Sequence, residues 1–268
     1  MANIYKIMDQ NVDDFDKILV KVIDDMLNQI AEKIKLIETS GGVVNFNQAN
    51  MEYVTSLATD WVGVLRNSEY SKAGVDVIGK FDNLAMEFNA ALPTHALPFK
   101  LTGADNTMLD AFKKMNLQQY NIVGTDALNA IQTSLIEGVT NSVPLKGLVD
   151  TVRASLDGKL TRYAKTYVLT SQRQYLQKVE DISAQNYEDA GVEFYWEYVG
   201  PNDDKTRPEC EIGLGMGVVT TEQKEQFEAE TEIRWNCRHE WQMVNPDRYA
   251  EKRNDDFKPL PKELINNG

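Results

Sequence analysis

The chain opens with apolar residues recurring every three or four positions: Met8, Val12, Phe15, Leu19, Val22, Met26, Ile30, Ile34 and Ile37. Asp13, Asp14, Asp24, Asp25, Glu32, Lys33 and Lys35 fall between them, so the spacing predicts one amphipathic helix over 3–38. Thr39-Ser40-Gly41-Gly42 ends it, because glycine favours helix exit. Such a stripe serves as the core face of a bundle or as a coiled-coil seam for a partner. The same period predicts helices over 47–66 (Met51, Val54, Leu57, Trp61, Leu65) and 72–91 (Val75, Ile78, Phe81, Leu84, Phe88), then over 107–120 and 123–138. Ser142 and Pro144 mark another helix start. A last long helix over 159–190 is closed by Gly191.

The texture then changes. "GVEFYWEYVG" is aromatic and β-branched, which predicts a strand over 192–199. "PNDDKTRPECEIGLGMG" is turn-rich, and "TEIRWNCRHEWQMV" reads as a second short strand or extended segment. The predicted class is therefore mostly α: an elongated N-terminal helical region followed by a small α+β C-terminal module with short strands. The organisation expected is a helical region over 1–145 for assembly or docking, and a helical lead-in over 146–191. A compact β-containing module over 192–245 and a polar tail over 246–268 complete it.

Composition narrows the function classes. No run of eighteen apolar residues exists, so no membrane span is expected. The first residues lack a basic segment followed by an apolar one, which predicts no secretory leader and synthesis in a reducing cytosol. The formal net charge of −13 removes the bulk attraction that nucleic-acid binders use. The relatively basic helix carrying Lys159, Arg162, Lys165, Arg173 and Lys178 offers a phosphate-contacting alternative. Leu160, Tyr163, Tyr167, Leu169, Leu176 and Val179 interleave with those charges and favour packing. His95, between Pro93 and Pro98, is assigned no role.

What chemistry there is gathers in "DDKTRPEC" (203–210) and "WNCRHEW" (235–241), which hold both cysteines and one of the two histidines. Cys210, Cys237 and His239 form a donor set suited to a structural zinc, with Asp203 or Asp204 as a fourth, oxygen ligand. A Cys210–Cys237 disulfide, worth about 3–4 kcal/mol in the chain-entropy model, is a second reading. Two buried thiols acting as small hydrophobes are a third. Arg207 and Arg238, near Asp203, Asp204, Glu209 and Glu240, are positioned to bridge the two segments as ion pairs. Trp196, Trp235, Trp241, Tyr195 and Tyr198 are expected to supply the core of the module. No H-E-x-x-H, G-x-S-x-G or P-loop pattern occurs, so an enzyme is not expected. A zinc hydrolase with Asp203, Asp204 or Glu209 as base is the enzymatic alternative, and it requires an open metal position and a cleft.

"YVGPNDDKTRPEC … WNCRHEW" resembles the phage Mu F-like minor head protein family. The matching positions are Tyr198, Gly200, Asp203, Thr206, Arg207, Cys210, Asn236, Cys237, Arg238, His239 and Trp241. The helix "RYAKTYVLTSQRQYLQKVEDISAQNYEDAGV" is similar to the one that precedes the motif in that family, and the likeness covers about residues 145–245. Many members carry His-Pro-Asn-Cys-Arg-Cys, where this chain has Arg234 and Trp235 and ends on His239. The resemblance implies a virion protein of a tailed bacteriophage: a minor capsid protein, near the portal vertex and active in head morphogenesis. It would be assembled in the host cytoplasm in several copies per particle. Its expected partners are the portal protein and other head components, and DNA contact is not its primary role.

Overall fold

The computed structural model describes residues 2–66, 69–156, 162–231 and 237–254; for 2–3, 58–66, 156 and 162–165 the backbone alone is described. Asn236, Trp235, Arg234, Lys159 and most of the expected tail lie outside these residues. In chain order the elements are α1 (Ala2–Ile34), β1 (Thr39–Ser40), β2 (Val43–Val44), α2 (Gln48–Arg66), α3 (Glu69–Gly79) and α4 (Phe81–Ala90). There follow α5 (Gly103–Thr140), α6 (Leu145–Leu156), α7 (Arg162–Asp189), β3 (Tyr195–Val199), α8 (Pro208–Gly215), β4 (Val218–Val219), α9 (Thr221–Glu230), β5 (Glu240–Val244) and α10 (Pro246–Lys252). The chain is mostly helical, with short antiparallel strands, as the periodicity predicts.

Several boundaries differ. The first helix stops at Ile34, and the segment expected only to end it folds into the β1–β2 hairpin. Gly41 and Gly42 form its two-residue loop with φ of +58° and +81°, a turn that needs positive φ at both positions. The helix expected over 72–91 is split between Gly79 and Phe81, whereas 107–120 and 123–138 merge into one helix. Residues 246–252, expected as polar tail, are helical because the Asn245 side chain accepts from Arg248 N–H and Pro246 occupies the first turn.

Two compact units are formed, and they are discontinuous in sequence. One comprises Gln10–Gly79 and Lys114–Val168; the other comprises Met1–Asp9, Lys80–Lys113 and Leu169–Gly268. This differs from the sequential division at 145, 191 and 245, because long helices contribute to packing at both of their ends.

In the first unit Tyr70 and Tyr120 stack at 4.4 Å, and each hydroxyl donates to the other residue's backbone carbonyl, at 3.0 and 3.1 Å. A Cβ on Gly74 would stand 2.4 Å from the Tyr120 ring, so this glycine allows the stack. Buried Asn50 clasps the hairpin by donating to the carbonyls of Glu38 and Asn45 and accepting from Glu38 N–H.

The second unit carries a sheet of order β4-β3-β5, antiparallel throughout. Trp196, Trp241, Met216, Met243, Val219, Phe227 and Ala184 form its core, with Tyr198, Phe194 and Ile212 packed against it. The 91–100 loop is not merely solvated. Leu97 N–H donates to Met243 O at 3.1 Å and Asn245 N–H to His95 O at 2.8 Å, so the loop lines the free edge of β5. The His95 ring sits 3.7 Å from Glu197, whose carboxylate takes both arms of Arg248 and also Lys252. Helix α9 starts on a capping box between Thr220 and Gln223.

Candidate metal centre

Three backbone devices in the second unit bring the cysteines and His239 together. Pro208 opens α8 behind extended Arg207, which sets Cys210 in the first turn of a short helix. Tyr198, near the end of β3, lays its ring over Gly213 of the same helix, where a Cβ would be 2.5 Å away. Cys237 and His239 lie on the approach to β5, which pairs Tyr198 opposite Trp241. Turn-rich 201–217 therefore contains a helix, and that helix carries the first cysteine.

Cys210 Sγ and Cys237 Sγ are 3.7 Å apart, both as free thiols. His239 Nδ1 is 3.8 Å from Cys237 Sγ, and the donor atoms of the three residues all lie within 4.8 Å of one another. Around a tetrahedral zinc, bond lengths of about 2.3 Å to sulfur and 2.0–2.1 Å to nitrogen give an S···S edge of about 3.8 Å and an S···N edge of about 3.6 Å. The Cys210–Cys237 and Cys237–His239 edges are close to these values. His239 Nε2 is 2.8 Å from the Pro201 carbonyl oxygen. A carbonyl only accepts, so Nε2 carries the proton and Nδ1 turns its lone pair toward the sulfurs. This is how a metal-bound histidine is usually oriented.

The residues of the two segments hold that imidazole. A Cβ on Gly200 would stand 2.2 Å from His239 Cδ2, so only glycine lets the ring approach Pro201. Thr206 Oγ1 donates to Pro201 O at 3.0 Å and accepts from Asp203 N–H at 2.8 Å. Asp203 takes both Arg238 arms, at 2.9 and 2.5 Å. Arg238 thereby holds the Asp203 carboxyl down at about 2, helped by Lys205 N–H. Trp241 is buried in the core, and Arg207 lines the cavity described below.

This geometry corrects one expectation. Among the described residues the cluster contains Cys210, Cys237 and His239 but not Asp203, because the Asp203 carboxylate is committed to Arg238 at the surface. Asp204 is likewise absent from it. Arg173, expected on a basic helix face, is buried with its Nε 3.4 Å from Glu240 Oε2, so it is not presented to phosphates.

The cluster opens on a cavity of about 230 Å3 whose wall includes Arg173, Arg207, Glu209, Phe227 and Glu240. Tyr5 donates to Glu240 Oε1 at 3.2 Å, and burial pushes the Glu240 carboxyl up, against the pull of Arg173. Hydrogen bonds from Cys210 and from the His239 backbone N–H, together with the charge of Arg173, pull the Cys237 thiol down against its burial. Cys210 is pushed up by Cys237 and by burial. The Tyr198 hydroxyl faces both sulfurs, 3.9 Å from Cys210 Sγ and 3.8 Å from Cys237 Sγ.

No family model, curated protein or solved structure matches the chain. Among the described residues no helix is long and apolar enough to cross a membrane.

Sequence reasoning named Glu240 as an ion-pair partner, Tyr198 as a core and motif residue and Arg173 as part of a basic helix face, but gave none of them a place against the donor atoms. Glu240 is adjacent to His239 and Tyr198 belongs to the same motif, whereas Arg173 is brought in by tertiary packing alone.

Proposed function

We propose that the chain is a minor head protein of a tailed bacteriophage, of the Mu F-like kind, with a structural role near the portal vertex. Its C-terminal part is fastened by a zinc ion held by Cys210, Cys237 and His239. The observation that supports this reading is the convergence of the resemblance's residues on one site. Gly200, Thr206, Asp203 and Arg238 orient His239, and Cys210, Cys237 and His239 share one donor cluster. Zinc there would supply a cross-link between α8 and the approach to β5 that the small tryptophan core does not provide.

The test for the particle role is co-purification of the full-length chain with the portal protein of the same phage. Stable association supports the reading, and none at micromolar concentrations removes the portal as partner. Truncation at residue 145 is unsuitable, since it would cut through both compact units.

A second reading, a zinc-dependent hydrolase, is favoured by the cavity, which places Glu209 and Glu240 beside the cluster. The two readings differ in one chemical respect. A structural zinc has four protein ligands, whereas a catalytic one keeps a position for water.

A further inference from the structure

Cys210, Cys237 and His239 supply three donors, and the fourth is decided by Tyr198. Its hydroxyl makes a near-equilateral triangle with the two sulfurs: 3.7 Å between sulfurs, 3.9 and 3.8 Å from oxygen to each. With zinc–oxygen distances of about 2.0–2.2 Å, a tetrahedral S···O edge is about 3.5–3.7 Å. Cys237 Sγ is therefore 3.7–3.8 Å from each of the other three donors: the second sulfur, the phenol oxygen and the imidazole nitrogen.

Buried phenols normally find a hydrogen-bond partner. Tyr70 and Tyr120 bond backbone carbonyls at 3.0 and 3.1 Å, Tyr167 bonds the Asn116 side chain at 3.1 Å, and Tyr175 bonds Asp82. Among the described residues the half-buried Tyr198 hydroxyl meets the two sulfurs, at distances that make weak hydrogen bonds. Its ring cannot swing to a better partner. It is stacked on His239 at 5.6 Å, tilted against Trp241 at 4.9 Å and seated on Gly213.

We propose that Tyr198 is the fourth metal ligand, so that Cys210, Cys237, His239 and Tyr198 close a four-protein-ligand site for a borderline divalent cation such as zinc. The inference rests on the metal reading above and deepens it. On coordination the phenol O–H and the two thiol S–H bonds would break, the protons would leave to solvent, and the oxygen and both sulfurs would donate lone pairs to the metal. The site then has no position for water, and the adjoining cavity is bounded by a saturated ion.

The experiment titrates the reduced, metal-free, full-length protein with Zn2+ and with Co2+, following the near-ultraviolet tyrosinate difference band and the cobalt ligand-field bands. The expected result is one metal per chain, with tyrosinate absorbance equivalent to one tyrosine. Tyr198→Phe, which keeps the ring and its packing, should bind zinc roughly 10–100-fold more weakly and lose the tyrosinate band. Binding with no tyrosinate band, or equal affinity in Y198F, overturns the proposal and leaves water as the fourth ligand. Failure of the native protein to bind either metal overturns the metal reading itself. The tyrosinate signal is read on the native chain and does not depend on the folding of any variant.

Discussion

His239 donates from Nε2 to the carbonyl oxygen of Pro201 at 2.8 Å. That bond fixes the tautomer, turns Nδ1 toward Cys237 and makes the loop from Gly200 to Thr206 part of the cluster. The contact depends on the absence of a side chain at residue 200. Gly200→Ala should displace the imidazole and weaken zinc binding at least tenfold, with little change in helix content. Unchanged affinity by competition with a chromophoric chelator would contradict this account of His239.

Asp203 and Arg238 make a different prediction. Their bond is at the surface, and it clamps the loop without touching the donors. Asp203→Asn should therefore retain full metal content. Because the folded carboxyl is held down at about 2, the clamp contributes above the ordinary carboxylate range and is lost as pH falls toward 2. The variant should lack this acid-side dependence in unfolding measured between pH 2 and 5. Loss of the metal in D203N would restore Asp203 as a ligand.

Glu180 is buried within α7, and burial, then the charge of Glu240, push its carboxyl well up, while Met243 N–H opposes. Folding favours the neutral acid, and the unfolded chain ionises it. The cost of burial therefore grows as pH rises through the ordinary carboxylate range. Glu180→Gln should be more stable than the native chain at neutral pH, with the gap closing at acid pH. Denaturant unfolding at pH 4 and pH 7.5 checks it, and the opposite ordering would show that the charged form is stabilised.

Much of the helical framework was legible because packing repeats the sequence period. Phe15, Leu19, Val22, Met26, Ile30 and Ile34 are all buried on α1, as their spacing requires. The hairpin at Thr39–Val44 was hidden because Gly41-Gly42 suits both a helix stop and a tight turn. Helix α9 carried a readable signal, the Thr220–Gln223 capping box, but few apolar positions. The discontinuous units had no local signal, since contacts such as Lys100 N–H to Ser183 Oγ join residues far apart in sequence. In the cluster, residue chemistry pointed to Cys210, Cys237 and His239. It also pointed to Asp203, because nothing local shows that Arg238 would claim its carboxylate. Tyr198 read as core, and it packs half-buried against that core; only tertiary geometry brings its oxygen to both sulfurs.

If zinc fastens α8 to the approach to β5, chelation should destabilise the native protein and leave Cys210→Ser and Cys237→Ser unaffected. With free zinc a hundredfold above Kd the stabilisation is about 2.7 kcal/mol. Unfolding with and without chelator checks this, and an equal response in all three proteins would attribute the loss to something other than the cluster.

The most direct test is the metal content of the full-length chain purified without added metal, by native mass spectrometry and elemental analysis alongside a thiol count. The account predicts one zinc per chain, lost in Cys237→Ser. A metal-free native protein, whether its thiols are free or joined, would contradict it.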